Sequence, residues 1–553
     1  MSTEVALLWI GDREPPAWTG GQIFRADASP AAVAECVARE LPGASAGAWL
    51  FWASALGPPD AERVAEALTR PGDLWHAGLR LGTSGLPAAI DHVAPTWMLN
   101  RDPDPAVEAT SWRVSLDACL VRSEVLRRMG SVRPEFRTLA GAALEFGHRC
   151  VTAGVLTRHL GWLAGGHPRP AAAEIPLEDE LRFLYYRFGK PWSRWGAFRS
   201  VLTGGRPLAK TRAALGRITR EPRPSPPPPF RAALPSAAAG NSKRSEAVTV
   251  LIPTVDRYPY LRKLLDQLRR QTTMPLEIVI VDQTPADRRS PELAAEFPNL
   301  PLRVFHLDRA GQCSSRNAGI DASRGDFLLF LDDDDDEVPD DLIEKHLAAL
   351  ERFGNEVSCG VADEDGAGPL PAAFRLTRAS DVFPTNNSLI RKSALAGSGL
   401  FDLAYDRGAR ADADLGMRLY LAGNLMVLNS EIRVLHRHAP SGGLRTHGAR
   451  VITYASSRKR LSHRHLPATT QIYLAKRYFS ERQVREMLWL AALGTLSVRG
   501  GPLRKAAKAG LALLLLPSSL WTLKRRERLA VAMLAQYPQI PRYSAEGRSA
   551  RAV

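Results

Sequence analysis

The stretch R-G-D-F-L-L-F-L-D-D-D-D-D-E-V-P-D-D, residues 324–341, decides the fold. Its apolar run, residues 327–331, has no polar interruption, which is typical of a strand buried on both faces. Five consecutive aspartates, residues 332–336, follow at the exit of that strand. Because adjacent carboxylates repel one another, the pattern predicts a compensating cation, and hard oxygen ligands suit Mg²⁺ or Mn²⁺. A solvated acidic loop is the simpler alternative.

The composition is that of a folded and strongly basic protein. The 553 residues are enough for two or three domains. A net charge of +15 and a pI near 9.9 favour an anionic partner, such as nucleic acid, a nucleotide or an acidic lipid surface. The chain has no zinc-finger spacing and no RNA-binding signature, so we expect no nucleic-acid partner. Five cysteines without a Cys-x-x-Cys pair predict reduced thiols and a cytoplasmic protein.

The sequence divides into four parts. Residues 1–220 alternate between strand-like and helix-like segments, begin without a basic signal-like region, and end in an amphipathic, aromatic and basic stretch. Residues 221–246 are rich in proline and then in small residues, as linkers are. The alternation restarts in residues 247–450, and residues 451–553 are basic and helical. We therefore predict two α/β domains with mostly parallel sheets and a helical C-terminal extension.

Three residues mark the ends of predicted strands in the second α/β part. Pro253, Asp282 and Asp332 each follow or end an apolar run. Mostly parallel sheets bind their ligands at the carboxyl ends of their strands. The binding site is therefore expected at this edge.

Four segments in fixed order resemble a known family. They are V-L-I-P-T at 250–254, E-I-V-I-V-D at 277–282, G-x-x-x-x-R-N-x-G-I at 311–320 and G-D-F-x-x-F-L-D-x-D-D at 325–335. In order and spacing they are similar to the successive motifs of the family 2 inverting glycosyltransferases, whose fold is called GT-A. The resemblance implies two GT-A-like, Rossmann-like domains if the first part shares the pattern.

The resemblance also implies a nucleotide pocket. Pro253, Thr254 and Asp282 would line it, with the Asp282 carboxylate accepting from a base N–H, and Arg316 would lie beside the sugar or phosphates. The two residues after Asp282 depart from the family's pattern, which leaves the base open.

The aspartates would carry the donor and a metal. Asp332 and Asp334 correspond to the family's Asp-x-Asp motif, with Asp332 and Asp333 binding the donor and Asp334 binding Mg²⁺ or Mn²⁺. A nucleoside diphosphate leaves readily when its developing charge is neutralised. A register shifted by one residue stays open, because five aspartates are consecutive.

A later segment resembles the family's acceptor side. Asp412 falls on the aspartate that deprotonates the acceptor hydroxyl, and Ala411 replaces the usual glutamate. A carboxylate at a helix start can reach that hydroxyl, although such an acid is also favoured by the helix dipole. Asp414 is the neighbouring candidate. His436, after a short predicted strand at 432–435, would join the metal site, with simple packing as the alternative.

The chain repeats itself at a distance of 269 residues. Seven residues match without a gap: Leu120, Arg122, Gly130, Phe136, Arg149, Ala153 and Gly154 fall on Leu389, Arg391, Gly399, Tyr405, Arg418, Ala422 and Gly423. Asp412 falls on Ala143, and residues 47–53 laid on 325–331 place residues 54–57 opposite the aspartates. The carboxylates for metal and base are absent together, so we expect a catalytically empty copy.

The C-terminal part has two short apolar segments with basic flanks. Residues 487–498 and 509–523 are both shorter than the roughly 20 residues that span a bilayer. Trp489 and Trp521 within them suit an interfacial position on anionic lipid. Helices packed on the catalytic core are the alternative.

Together these patterns predict an inverting glycosyltransferase. It would move a sugar from a nucleotide-sugar donor to a saccharide or lipid-linked acceptor in polysaccharide biosynthesis, at the inner face of the cell membrane. A sugar nucleotidyltransferase would need a glycine-rich phosphate loop after the first strand, which residues 253–256 do not supply. A saccharide-binding scaffold is the non-enzyme alternative.

Overall fold

Two β-sheets organise the chain in the computed structural model. The structure describes residues 4–78, 81–92, 96, 98–165, 174–231, 247–365, 370–443, 461, 464, 466–495, 498 and 500–543. We call residues 4–231 the first half and residues 247–443 the second half.

The first half contains a seven-stranded sheet in the order β2-β1-β3-β6-β4-β7-β5. Its buried strands are the expected apolar runs, and β6 and β5 run antiparallel to their neighbours. The strands are β1 (Val5–Ile10), β2 (Ile23–Ala26), β3 (Ala48–Ala53), β4 (Leu74–His76), β5 (Ala109–Thr110), β6 (Ala118–Arg122) and β7 (Thr157–His159).

Seven helices belong to the described part of the first half. They are α1 (Pro30–Glu40), α2 (Ala61–Thr69), α3 (Ser123–Met129), α4 (Leu139–Ala153), α5 (Leu177–Phe188), α6 (Lys190–Leu202) and α7 (Leu208–Ile218). The amphipathic stretch forms α5, whose Leu181, Phe183 and Leu184 are fully buried. This helix therefore covers its own sheet, while Trp192 and Phe198 of α6 stay exposed.

The second half contains a nine-stranded sheet in the order β10-β9-β8-β11-β15-β13-β16-β12, with β14 on β16. The strands are β8 (Val248–Thr254), β9 (Glu277–Asp282), β10 (Leu302–His306), β11 (Phe327–Phe330), β12 (Asp335–Asp336), β13 (Val357–Glu364), β14 (Arg378–Ala379), β15 (Ser388–Arg391) and β16 (Met426–His436). The expected short strand at 432–435 is wrong in length, because β16 pairs along β13 from Met426 to His436 across a bulge.

Helices cover both faces of this sheet. They are α8 (Tyr258–Leu268), α9 (Leu293–Glu296), α10 (Gln312–Ala322), α11 (Leu342–Phe353), α12 (Ala394–Ser398) and α13 (Ala411–Leu421). A carboxylate from a distant loop starts α10, since Asp406 Oδ1 accepts the backbone N–H groups of Cys313 and Ser314 at 2.8 Å. That cap fixes the helix that carries Arg316.

The two sheets share one topology. The path β2-β1-β3-β6-β4-β7-β5 corresponds strand for strand to β9-β8-β11-β15-β13-β16-β14, including the antiparallel members. The first half has no counterpart of β10, and the loop of residues 11–22 stands where the second half has α8. The predicted pair of GT-A-like domains is thus confirmed at the level of strand order.

Side-chain bonds repeat with the same spacing. Arg149 donates to Glu145 and to the Met129 carbonyl, and Arg418 donates to Asp414 and to the Ser398 carbonyl. All three pairs of positions are 269 residues apart.

Strand pairing corrects one part of the sequence alignment. Leu50 lies opposite Leu120 in the first sheet, and Leu329 lies opposite Leu389 in the second. The counterpart of Asp332 is therefore Ala53, so the frame that laid residues 47–53 on 325–331 is off by one residue. Residues 53–56 hold no carboxylate, as that comparison had also found.

A pseudo-twofold interface joins the halves. Gly154, after α4, packs against the Thr377 carbonyl next to β14, and Gly423, after α13, packs against the Glu108 carbonyl next to β5. Both contacts link positions 269 residues apart. Tyr420 also donates its hydroxyl to the Arg101 carbonyl at 3.0 Å. The halves therefore meet as the protomers of an isologous dimer do.

The proline-rich segment does not hang free along its whole length. Phe230 is buried and its N–H donates to the Ala153 carbonyl at 2.7 Å. Arg231 pairs with Asp73 at 2.7 Å and its guanidinium lies 5.2 Å from the Phe353 ring of the second half. The predicted flexible stretch from residue 232 to 246 lies outside the described residues.

Four helices follow the second half: α14 (Thr469–Tyr478), α15 (Glu481–Gly494), α16 (Pro502–Leu514) and α17 (Leu516–Gln536). The first of them is part of the second half's core, because Tyr473 donates to Asp402 at 2.7 Å and Tyr478 donates to Asp414 at 2.7 Å. In the described part of the chain no single helix is long and apolar enough to cross a membrane. The pair α16 and α17, bent by 58°, meets the length and composition criteria only when taken together.

Candidate active site

The carboxyl ends of β8, β9 and β11 meet at one edge of the second sheet. The aspartates leave β11 there, and the pairing of β12 with β16 draws residues 335 and 336 away from β11. Asp333, Asp334, Asp335 and Asp336 are each at most 4% exposed. The alternative of a solvated acidic loop is therefore wrong.

Asp333 and Asp334 share one arginine. Arg257 Nη1 lies 2.9 Å from Asp333 Oδ1 and 3.1 Å from Asp334 Oδ1. Thr254 donates its hydroxyl to Asp333 Oδ2 at 2.7 Å, and the Ala439 N–H donates to Asp334 Oδ2 at 2.7 Å. These contacts hold the two carboxylates side by side at the end of β8.

Asp332 faces a different cation. Arg316 Nη2 lies 2.6 Å from Asp332 Oδ1, and Arg316 Nη1 donates to the Gln312 carbonyl at 3.1 Å. The Arg316 side chain is only 6% exposed, so α10 holds the guanidinium in place beside the aspartates.

The last two aspartates are bound by β16 and α8. His436 Nδ1 lies 3.1 Å from Asp335 Oδ1 and 3.7 Å from Asp334 Oδ1. Asp336 is paired with Lys263 of α8 and with Arg437, and accepts a hydrogen bond from Gln267 at 2.7 Å. The chain's own cations therefore balance much of the charge for which the sequence had predicted a metal alone.

Burial and charge shift the pKa values in this cluster. Burial is the main reason that the pKa of Asp333 rises to about 7, although the Arg257 charge opposes it. For His436, burial works to lower the pKa, but the hydrogen bond with Asp335 and the neighbouring carboxylates outweigh it and raise the pKa to about 9. His436 is accordingly a cation at neutral pH when no metal is bound.

The predicted nucleotide pocket lies beside this cluster. Pro253 and Thr254 end β8, one strand away from Asp282 at the end of β9. Asp282 accepts from the Tyr258 hydroxyl at 2.6 Å and from the Thr284 N–H at 2.9 Å. The carboxylate is 1% exposed and is thereby fixed at the pocket wall.

Asp412 lies at the start of α13, after Arg410 in a left-handed conformation with φ +93°. Burial raises its pKa, while the backbone N–H of Ala413 and the charges of Arg410 and Arg316 oppose that rise. The influence of Arg316 places Asp412 on the same side of the cleft entrance as the Asp332 cluster. A carboxylate with a raised pKa suits a general base.

Asp414 is not available as a base. It is fully buried, pairs with Arg418 at 2.8 Å and accepts from the Tyr478 hydroxyl at 2.7 Å. Its counterpart Glu145 bonds Arg149 in the first half, which marks the position as structural.

Four residues of the cluster went unrecognised in the sequence: Arg257, Tyr258, Lys263 and Arg437. The first three lie within ten residues of Thr254, so the only available signal was their position at the loop after β8 and on the first turns of α8. Arg437 follows His436 directly, between the two histidines of the noted His-x-His.

The aspartates and His436 fit a divalent metal in part. Asp334 Oδ1 is buried and accepts no hydrogen bond, since Arg257 Nη1 is near it but not aligned with it. In the described ranges no three histidine, cysteine or carboxylate side chains are already arranged around one metal position. Mg²⁺ is commonly held by one or two carboxylates together with substrate phosphates, so an incomplete protein shell is what such a site requires.

Comparisons with known proteins agree with this location. Residues 249–401 match the model of Glycosyl transferase family 2. The putative glycosyltransferase EpsH of Bacillus subtilis is 40% identical over 96 residues, 17% of this chain and 28% of EpsH. The succinoglycan biosynthesis protein ExoO of Rhizobium meliloti is 34% identical over 96 residues, 17% of this chain and 27% of ExoO.

One solved structure may be set beside these relatives. The structure of S. aureus TarS 1–349 in complex with UDP-GlcNAc aligns with 48% of this chain and 71% of that chain, at 17% identity and a TM-score of 0.32. The relatives match this chain over less than a third of their own length. The matched segment contains β8, β11 and the aspartates, and residues 249–401 therefore belong to glycosyl transferase family 2.

Proposed function

We propose that the second half transfers a sugar from a nucleotide-diphosphate sugar to an acceptor hydroxyl with inversion. The observation that carries the proposal is the cluster at the end of β11, where Asp332, Asp333 and Asp334 meet at the strand edge beside Asp282 and the base candidate Asp412. Family membership of residues 249–401 supports the reaction class.

Each residue has a distinct task in this proposal. Pro253, Thr254 and Asp282 hold the nucleotide, and Asp332 and Asp333 bind the donor's ribose and sugar side. Arg316, already beside Asp332, stabilises negative charge on the diphosphate as it departs.

Asp412 takes the proton of the acceptor hydroxyl as its oxygen attacks the anomeric carbon from the face opposite the diphosphate. Attack and departure on opposite faces give inversion. With both partners bound, the buried position of Asp412 excludes water from the proton transfer.

Asp334 and His436 would hold Mg²⁺ or Mn²⁺, which supplies charge neutralisation for the leaving diphosphate. The free Oδ1 of Asp334 and the position of His436 3.7 Å from it support this assignment. Residues 253–256 contain no glycine, which speaks against a sugar nucleotidyltransferase with its phosphate loop.

The first half serves as a non-catalytic partner in this proposal. Ala53, Ser54 and Ala55 stand where Asp332, Asp333 and Asp334 stand in the second half, and the helix equivalent to α8 is missing. Its domain limits, 1–220 with a linker to residue 246, stay a prediction. Acceptor contacts and stabilisation of the second half are the roles that remain for it.

The acceptor is proposed to be a saccharide, free or lipid-linked, in polysaccharide biosynthesis, at the cytoplasmic face of a membrane. The printed name of ExoO supports the pathway class. Exposed Trp489 and Trp521, with Arg485, Lys524 and Arg525 close in sequence, support the membrane surface.

A screen of nucleotide sugars tests the function. A donor that binds must raise the thermal midpoint of the intact protein, and we expect that shift to need Mg²⁺ or Mn²⁺. The same donor should be hydrolysed slowly without acceptor, and hydrolysis should stop in chelator. If no nucleotide sugar or nucleoside diphosphate shifts the midpoint, the scaffold alternative replaces the enzyme. Full hydrolysis in chelator would remove the metal from the proposal.

A further inference from the structure

Arg257 has no role in the sequence-based account of the site, yet its contacts are the closest to the predicted metal position. Its Nη1 lies between Asp333 Oδ1 at 2.9 Å and Asp334 Oδ1 at 3.1 Å. The side chain is 11% exposed, so the two ion pairs are largely shielded from solvent. A cation therefore already occupies the space between the two carboxylates.

Two loops hold this guanidinium in place. Arg257 Nε donates to the Ser441 carbonyl at 2.9 Å, and Nη2 lies 3.4 Å from the Gly442 carbonyl. The Gly443 N–H donates to the Val255 carbonyl at 3.2 Å, which ties the loop after β16 to the loop after β8. Asp256, immediately before the arginine, has a left-handed φ of 55°. The arginine is thus aimed at the aspartates by its own backbone and by the opposite loop.

The first half offers an internal comparison. Strand pairing makes Leu7 the counterpart of Val250, so Glu14 stands at the position of Arg257. Where the aspartates are replaced by Ala53, Ser54 and Ala55, the arginine is replaced as well. Within this one chain the cation and the carboxylates occur together or not at all.

Electrostatics makes the arginine and a divalent ion competitors. Two buried carboxylates are costly without a cation, and removing their partner leaves buried charge uncompensated. A divalent ion on Asp334 meets the same requirement, but it must approach a carboxylate oxygen that Arg257 already faces at 3.1 Å. A guanidinium released from Asp334 is a bidentate ligand for phosphate oxygens.

We propose that Arg257 is the built-in counter-ion of the metal site: it neutralises Asp333 and Asp334 while the site is free of donor, and it turns to the donor's diphosphate when metal and nucleotide bind together. This inference rests on the proposed function. Its consequence is ordered loading, because the metal alone has to displace an arginine, whereas metal with a nucleoside diphosphate gives that arginine a new anion. Arg257 is then a positioning residue for donor and metal.

Metal binding to the full-length protein tests the proposal without any catalytic readout. Mn²⁺ titrations followed by electron paramagnetic resonance are run with Mn²⁺ alone and with Mn²⁺ plus UDP or GDP. For the wild type we expect weak binding of Mn²⁺ alone and much tighter binding with the preferred nucleotide. For Arg257→Met we expect Mn²⁺ alone to bind at least about tenfold more tightly, and the tightening by nucleotide to shrink.

Matched variants separate this role from a structural one. Arg262→Met removes an arginine of α8 that pairs with Glu296 on the surface, so its Mn²⁺ affinity should equal the wild type's. Arg257→Lys keeps a positive charge and should retain weak metal-only binding, and it covers the case in which the methionine variant does not fold. Unchanged Mn²⁺ affinity in folded Arg257→Met, or equal tightening in Arg262→Met, overturns the proposal. A wild type that binds no Mn²⁺ with either nucleotide instead overturns the proposed function.

Discussion

At the scale of single residues, two aspartates one helical turn apart have opposite surroundings. Asp412 is partly exposed at the start of α13, with its pKa raised by burial, whereas Asp414 is fully buried between Arg418 and Tyr478. Similar charges in one short segment therefore separate into a candidate base and a structural ion pair.

Asp412→Asn should lower transfer by ~100-fold or more, because the amide cannot accept the acceptor's proton. Donor binding should remain near the wild-type value, since the residue's proposed task concerns the acceptor. The measurement is steady-state transfer beside donor affinity by calorimetry. Ala143→Asp, at the equivalent position of the first half, is the control and should change neither quantity. Near-normal transfer by Asp412→Asn would assign the base elsewhere.

The pH profile of transfer should reflect the same group. A base works when deprotonated, so kcat/KM should fall as pH drops through the Asp412 pKa. Because burial raises that pKa above the ordinary aspartate value of 3.8, the acid limb should lie at higher pH than for an exposed aspartate. The limb should vanish in the residual activity of Asp412→Asn. A limb that persists there belongs to another group.

Asp414→Ala should destabilise the fold, not the chemistry. The change leaves the buried Arg418 without its carboxylate, which costs about 3 kcal/mol or more. Denaturant unfolding measures the loss. Glu145→Ala, the counterpart that pairs with Arg149, should show a loss of similar size, and a much smaller one would mean that the two repeats do not share this support.

At the scale of elements, the contact between the halves depends on two glycines that end helices α4 and α13. Gly423 has φ +86°, and a Cβ there would lie 2.6 Å from the Glu108 carbonyl oxygen. Gly154 has φ +95° and faces the Thr377 carbonyl in the same way. Each half thus receives the other's strand edge through a position that excludes a side chain.

Gly423→Ala should lower the free energy of unfolding by about 1–3 kcal/mol, through strain at positive φ and overpacking at the interface. Gly510→Ala is the control, because this glycine lies within α16 with nothing within 4 Å of its added Cβ. That variant should be neutral or more stable by up to about 1 kcal/mol. Thermal and denaturant unfolding of both variants decide the matter. Equal stability of Gly423→Ala and the wild type would show that the halves do not press together here.

At the scale of the whole molecule, the C-terminal helices divide into a buried and an exposed part. Residues 469–478 complete the core of the second half through Tyr473 and Tyr478, so cutting the chain near residue 470 would remove buried side chains along with any membrane contact. Beyond them, Trp489 is 55%, Trp521 61% and Leu514 77% exposed. Substitution, not truncation, is therefore the proper test of membrane binding.

Vesicles with anionic lipid should retain the protein in co-sedimentation, and vesicles of neutral lipid should retain less. The double variant Trp489→Gln and Trp521→Gln should bind more weakly, because two aromatic anchors are lost. Added salt should weaken wild-type binding by screening the basic residues. Leu276→Gln, an exposed apolar residue just before β9, is the control and should bind like the wild type. Retention that ignores lipid charge, salt and both tryptophans would rule out this surface.

The sequence by itself determined the parts of the fold that depend on short-range pattern. Apolar runs placed β8, β9 and β11, the ordered motifs placed the site at their ends, and the 269-residue repeat announced a second copy of the sheet. These features were predictable because buried strands and their polar ends are local in sequence.

Only the tertiary structure decided how the aspartate charges are compensated. Arg257, Arg316 and His436 lie between 16 and 101 residues from their aspartate partners, and no spacing rule connects them. The same holds for β16, whose length follows from its pairing with β13, and for Tyr478, which reaches Asp414 from 64 residues away. Long-range pairs of this kind depend on which surfaces the fold brings together, and the physical reason is that a buried charge accepts any cation that packing presents to it, whatever its position in the chain.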